Sequence, residues 1–385
     1  MNLEKLFSQF KETDLFGRYI TLDNIEPLLV KFNTNNQVQI IGHSVLGKPI
    51  YKYQTGTGSK RILLWSQMHG NESTTTKALF DFLNLLSSDS ELANKLLLEF
   101  TFCCLPMVNP DGALLYTREN ANKVDLNRDS QALSQPESVI LRNVFENFMP
   151  DYCYNLHDQR TIFGVGEEIS KPATISFLAP SYNDAREINE VRSKAIAVIV
   201  AMNRVLQEYI PNQVGRFCDS FNINCVGDTF QSLKVPTILI EAGHFQEDYD
   251  REITRKYVFI ALLSGLKYIY ENDIVVNKIE DYLNIPHNKI CFYDFIYKNI
   301  KINYDNNKFI TNFAIQYKEE LIESQLLFNA YIADIGDLIG FSGHFEFDAK
   351  EALCENLEEN ISKLGQKADF SLGKTIKIIN GLIKF

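Results

Sequence analysis

The chain has 385 residues, 45% of them apolar and 23% charged, an ordinary globular composition that excludes intrinsic disorder. Its formal net charge is −11, with no Lys/Arg block and no basic stretch interleaved with aromatics, which argues against a nucleic-acid partner. The length suits one large domain plus a smaller one. The amphipathic start, MNLEKLFSQFKETD, has no apolar signal core, and no run of 18 apolar residues follows, so a cytoplasmic protein without a membrane partner is expected. Helical apolar spacing occupies residues 2–12 and 23–32. Strands are expected at 37–44, 48–54 and 61–67, with TGTGSK at 55–60 as a hairpin turn. A helix follows at about 73–87, then the buried strand EFTFCCLP, a helix at 136–148 and the strand YCYNLH. ISFLAP is another strand, with a long helix near 184–208, and PTILIEAG is the last buried strand, with a helix near 249–271.

This alternation predicts an α/β domain over residues 1–272, a mixed, mostly parallel twisted sheet flanked by helices. Beyond a connector, residues 280–385 read as a small β-rich domain, with segments such as KNIKINY, KFITNFAIQY and TIKIINGLIKF and a possible helix at 349–363. The seven cysteines, an odd number with no CxxC pair, read as reduced core residues.

Four places carry chemistry. In MHGNEST, His69 and Glu72 stand three apart between a strand and a helix, a spacing that can point both at one ion; alone it could equally be a surface His beside a helix-capping Glu. His157 ends YCYNLH and completes a two-His, one-carboxylate set suited to catalytic zinc. Glu241 ends a very apolar strand, where a carboxylate is costly without a partner or a task, and a general base is such a task. Between them, NPDG at 109–112 reads as a tight turn, followed by Arg118, Asn127 and Arg128. A guanidinium grips a carboxylate with two parallel hydrogen bonds, so this group suits a substrate with a free carboxylate, or else forms a surface ion-pair network with Glu119, Asp125 and Asp129.

Taken in order, IGHSVLGKPI, HGNE, NPDG, R-x-N-A-N-x-V-D-L-N-R, LH and EAG resemble the zinc metallocarboxypeptidases of the funnelin type, peptidase family M14, over about residues 37–272. The resemblance implies one zinc per chain held by His69, Glu72 and His157, with Glu241 as general base and acid and Arg118 stabilising the oxyanion. It further implies that Asn127 and Arg128 bind the substrate's terminal carboxylate and that Asp125 orients His69. The substrate would be a peptide or peptide-like molecule. One departure stands out: the digestive members carry a mobile Tyr upstream of the catalytic Glu, and RFCDSFNINCVGDTF has none, leaving Phe217, Phe221 and Phe230 there, and Tyr182 or His244 as substitutes. Two other readings stay open. HGNEST and the C-terminal domain also suit an N-acyl-amino-acid deacylase resembling succinylglutamate desuccinylase and aspartoacylase. The third is a non-catalytic binding protein of the same fold.

Overall fold

A computed structural model describes residues 2–33, 37–167, 170–272, 277–304, 307–356 and 363–384. The chain divides into two compact units. The first holds Met1–Gln159 and Ala173–Asn288; the second holds Arg160–Pro172 and Lys289–Phe385. The second unit is therefore built from two separate stretches of chain, unlike the contiguous 280–385 read from composition, and residues 277–288 go with the first.

The first unit is a mixed sheet flanked by helices. Its strands are β1 (Val38–His43), β2 (Pro49–Thr55), β3 (Lys60–Trp65), β4 (Phe100–Leu105) and β5 (Tyr152–Asp158). After β6 (Phe163–Val165) and β7 (Lys171–Pro172), which belong to the second unit, come β8 (Ile175–Leu178), β9 (Val214–Arg216) and β10 (Thr237–Ala242). The sheet order is β1-β2-β4-β3-β5-β10-β8-β9. β3, β4, β5 and β10 run parallel, and their apolar runs are buried, as expected where helices cover a parallel sheet.

TGTGSK is not a hairpin turn, because β4 lies between β2 and β3. The connection instead packs on the start of β4, with the Thr57 N–H donating to the Leu97 carbonyl at 2.8 Å and the Gly58 N–H to Phe100 at 3.3 Å. Local turn chemistry signals a reversal but not which strand becomes the neighbour.

Ten helices are described. They are α1 (Leu3–Phe10), α2 (Leu22–Phe32), α3 (Thr74–Leu86), α4 (Glu91–Glu99) and α5 (Pro110–Leu115), then α6 (Pro136–Phe148), α7 (Glu190–Leu206), α8 (Val226–Ser232), α9 (Glu252–Glu271) and α10 (Ile279–Leu283). α9 lies against α7, α3 and α1, so it is buried along most of its length. A buried ion pair locks it to the N-terminal segment: Arg255 donates to Asp81 from Nε at 2.7 Å and Nη2 at 2.5 Å, and to the carbonyls of Glu12 and Leu15, each at 2.7 Å. NPDG is also not a free turn. Asn109 caps α5, its Oδ1 accepting from the Gly112 N–H at 2.8 Å, and Pro110 takes the first helical position. Among the described residues no helix is long and apolar enough to cross a membrane.

The second unit is all β. β6 pairs with β7 and with β11 (Lys289–Ile290). One four-stranded sheet contains β12 (Phe292–Tyr304), β13 (Asn307–Ile322), β14 (Gln325–Gly336) and β15 (Ser342–Asp348). The other contains β16 (Cys354–Asn356), β17 (Phe370–Leu372), β18 (Ile376–Ile379) and β19 (Leu382–Lys384). Its core includes Phe295, Tyr297, Phe313, Ile315 and Phe370. The helix expected at 349–363 does not form in the described part, where 354–356 is β16; residues 357–362 lie outside the described residues. The cysteines are free, and four are buried, but Cys218 is exposed and so is not a core residue.

Candidate metal centre

The candidate residues collect at the C-terminal ends of β3, β5 and β10, where ligand sites of open α/β sheets gather. β3 ends at Trp65, and residues 66–73 loop over to α3. That loop presses its backbone against α5: a Cβ on Gly70 would overlap the Gly112 main chain, and a Cβ on Gly112 would overlap the Asn109 side chain and the Glu119 carbonyl, so each glycine is needed for close packing. Glu72 precedes α3 rather than sitting on it, and its N–H closes a turn onto the His69 carbonyl at 3.1 Å. β5 and β10 are parallel neighbours in a register that sets His157 directly beside Glu241.

Three side chains meet. Glu72 Oε1 lies 2.8 Å from His69 Nδ1, and Glu72 Oε2 lies 2.8 Å from His157 Nδ1. The two Nδ1 atoms are 3.1 Å apart. Three electron-pair donors facing one another repel unless a proton or cation lies between them, and two imidazoles with one carboxylate are the donor set of catalytic zinc. Asp125 Oδ1 stands 3.0 Å from His69 Nε2, which fixes the ring and leaves Nδ1 facing the cluster. The Asp158 N–H also donates to Glu72 Oε2 at 3.1 Å.

The remaining candidates surround this cluster. Arg118 donates from Nη1 to Glu72 Oε1 at 3.2 Å and from Nε to Asp125 Oδ2 at 3.1 Å. Its side chain is 42% exposed, so it also faces outward. The Asn127 N–H donates to Asp125 Oδ1 at 2.9 Å, and the Asn127 side-chain oxygen accepts from the Val226 N–H of α8 at 3.1 Å. Among the described residues the Arg128 side chain bonds locally, to the Asn127 carbonyl at 2.9 Å.

The electrostatics divide these groups. Burial pushes the Glu72 carboxyl up, but the His69 and His157 rings outweigh it and hold the group well below the usual carboxylate range. Burial lowers His157, while at His69 the Glu72 and Asp125 carboxylates overcome burial and raise it. Glu241 is pushed well above the ordinary value by burial, then by the negative charges of Glu72 and Asp158. Its Oε2 is buried without a hydrogen-bond partner among the described residues.

Two positioning groups carry no readable sequence signal. The Asp158 carboxylate accepts from the Thr74 and Thr75 N–H groups, at 2.9 and 3.3 Å, and so ties the end of β5 to the start of α3. Arg251, 1% exposed, donates to the carbonyls of Ala242 (2.8 Å) and Gly243 on one strand end and of Gln159 (3.0 Å) on the other. It therefore staples the two strands that end in His157 and Glu241. Gly243 of the EAG motif is required because a Cβ there would land on the Ala173 carbonyl and the Gln159 amide. Of the residues considered in place of the missing Tyr, Phe230 is core, stacked on Phe145 at 3.9 Å, and the Tyr182 hydroxyl donates to Glu187 at 3.0 Å.

Residues 25–148 match the sequence profile of the zinc carboxypeptidases, peptidase family M14, a stretch that includes His69, Glu72, Arg118, Asp125, Asn127 and Arg128. The chain is 27% identical over 134 residues to carboxypeptidase 2 of Trichophyton tonsurans, covering 34% of this chain and 24% of that protein. It is 28% identical over 140 residues to the carboxypeptidase SOL1 of Arabidopsis thaliana, covering 32% and 28%. The chain thus spans about a quarter of the length of the curated relatives it matches. Among solved structures it resembles a metallo-carboxypeptidase from Burkholderia cenocepacia, with TM-score 0.51, 17% identity, and coverage of 64% of this chain and 68% of the other. It also resembles the carboxypeptidase A of Helicoverpa armigera, with TM-score 0.50, 17% identity, and coverage of 70% and 80%. The chain therefore resembles the zinc metallocarboxypeptidases at the level of the family, and its mixed sheet with flanking helices is their fold.

Proposed function

We propose that this protein is a zinc-dependent hydrolase of the carboxypeptidase type that releases the C-terminal residue of a peptide or peptide-like substrate. The observation that carries this reading is the convergence of His69 Nδ1, His157 Nδ1 and the Glu72 carboxylate, with Glu241 alongside His157. A zinc ion bound there would supply Lewis-acid polarisation of the scissile carbonyl and a lowered pKa for the attacking water.

The protein's own residues do the rest. Asp125 holds His69 in the tautomer that leaves Nδ1 free for the metal. Glu241 takes the proton of the attacking water and passes it to the leaving amine. Its buried position keeps that proton from bulk solvent. The Arg118 guanidinium, partly open to solvent, donates to the oxygen on which negative charge develops. Asn127 and Arg128 pair with the terminal carboxylate, which sets the scissile bond at a fixed distance from Glu241.

The test is metal content by mass spectrometry on wild type and His157→Ala, beside hydrolysis of a panel of peptides and N-acyl amino acids. One zinc per chain, lost in the variant, with C-terminal residues released, is the expected result. Zinc with turnover of acyl amino acids alone would transfer the protein to the deacylase reading, which the all-β second unit favours. Zinc-free protein with no turnover would leave a binding protein of the same fold.

A further inference from the structure

Residues 11–21, between α1 and α2, form neither helix nor strand. Arg255 of α9 and Asp81 of α3 hold the near end of this segment. Arg255 donates to the Glu12 and Leu15 carbonyls, and Asp81 Oδ1 accepts from the Glu12 N–H at 2.7 Å. The far end lies on the loop that carries His69 and Glu72. Gln67 Nε2 donates to the Ile20 carbonyl at 2.8 Å, and Ser73 Oγ to the Arg18 carbonyl at 2.5 Å. Between them, the Tyr19 hydroxyl donates to the Leu114 carbonyl of α5 at 2.8 Å. Arg18, 7% exposed, also brings its positive charge to the Asp158 carboxyl, which accepts from the first N–H groups of α3.

Gln67 links segment and loop. It is 0% exposed, and its φ of +48° lies in the left-handed region, which glycine adopts freely and an L side chain only at a cost. Strain of this kind persists where the surroundings over-determine it. Here the side-chain amide is bonded at both ends. Nε2 donates to Ile20 and also, at 2.9 Å, to the Gly70 carbonyl within the loop, while Oε1 accepts from Thr76 Oγ1 at 3.0 Å. The Gln67 carbonyl accepts from the N–H of Asn109, the residue that caps α5, at 3.1 Å. Gly70 directly follows His69, so a movement of the segment at Ile20 reaches a proposed zinc ligand through one side chain.

We propose that residues 12–21 are a working part of the metal centre and that Gln67 is the positioning residue that couples the two. The docked segment holds the 66–73 loop in the geometry that binds zinc, and bound zinc in turn holds the segment down. The proposal rests on the zinc reading given above. A ligand set works when its members are held within about 0.5 Å of the productive geometry, by side chains that are themselves locked. Groups that orient metal ligands typically contribute 10- to 100-fold in metal affinity. The coupling runs both ways by linkage: the factor by which detaching the segment weakens zinc is the factor by which zinc suppresses detachment. Peptide turnover does not enter this relation, so the role of the segment is read on the metal alone.

The experiment uses the full-length protein as wild type, Gln67→Met and Gln67→Gly, with Leu206→Ala as a control that removes buried core from the end of α7. Gln67→Met keeps the length of the side chain without its donors, and Gln67→Gly relieves the backbone. Zinc affinity is measured by competition with a chromophoric chelator. Backbone hydrogen exchange across residues 12–21 is measured by mass spectrometry, with zinc and after its removal. Both Gln67 variants should bind zinc about 10- to 100-fold more weakly than wild type, and Leu206→Ala should bind it as wild type does. In wild type, zinc should slow exchange across 12–21 by a similar factor, and in Gln67→Met that effect should be lost. Wild-type affinity in either Gln67 variant, an equal loss in Leu206→Ala, or wild-type exchange that ignores zinc overturns the proposal. If zinc is bound but no peptide is cleaved, the peptidase reading fails, and the affinity and exchange shifts still decide this proposal. A wild type that takes up no zinc overturns both. If Gln67→Met fails to fold by circular dichroism, Ser73→Ala, which cuts the tie to Arg18, replaces it in the same assays.

Discussion

Arg251→Met removes the only described side chain that joins the ends of β5 and β10. Three buried carbonyls lose a donor: Gln159, Ala242, which keeps the Gln159 N–H, and Gly243, which keeps the Thr254 hydroxyl. Asp158 also loses a neighbouring positive charge. Removing a buried charged group that makes several hydrogen bonds costs about 3–5 kcal/mol. At about 2–4 °C per kcal/mol for a unit of this size, Tm should fall by roughly 6–20 °C. Glu72 and His69 sit on the far side of the cluster from the staple, so zinc should still bind one per chain at saturating metal. Glu241 should not hold its place. A displacement of about 1 Å at a reacting group costs on the order of 100-fold in rate, so kcat should fall by that order while KM changes little. Arg251→Lys keeps the charge but cannot span two strands with one ammonium, so it should recover much of the Tm and little of the kcat. The measurements are calorimetric Tm, zinc content and steady-state kinetics on the three proteins. If Arg251→Met keeps wild-type kcat, or if its activity falls only in proportion to its zinc, the staple does not position Glu241.

Four further outcomes follow from the same geometry. Asp125→Asn should weaken zinc binding about 10- to 100-fold in competition with a chromophoric chelator, because the carboxylate 3.0 Å from His69 Nε2 sets that ring's basicity; unchanged affinity would mean that the contact only shapes the loop. Joining Gln159 to Ala173 with a short Gly linker and ending the chain at residue 288 should yield a cooperatively folding, zinc-binding first unit, since the Gln159 side chain already reaches the Ala173 carbonyl at 2.5 Å. Ending the chain at residue 280 should fail that test, because it removes Tyr282, whose buried hydroxyl accepts from the Ala179 N–H at 3.1 Å. Asp81→Ala should cost about 3–5 kcal/mol in urea unfolding by leaving the buried Arg255 with Glu252 alone as its counter-charge, and should leave zinc stoichiometry untouched.

The strands that bear the candidate site were legible because their physics is local. RILLWS, YCYNLH and PTILIEA are short apolar runs bounded by polar residues, and the structure makes each a buried strand. His69, His157 and Glu241 stand out because each interrupts or ends such a run, where an ionisable group needs a reason. What could not be read depends on partners distant in the chain. β4 enters between β2 and β3 from some 40 residues away, which makes a crossover of an apparent hairpin. Residues 160–172 join the second unit through the pairing of Gly164 with Lys289, and no composition shift marks that. Arg251 looks like any surface arginine before a helix until three carbonyls from two strands converge on it. Asn155 differs again: its local sequence is that of a plain buried strand, and a carboxamide there breaks the apolar pattern without a hydrogen-bond partner among the described residues. Such a break, at the row just beneath the proposed zinc ligands, is where a sequence departs from what folding alone would select.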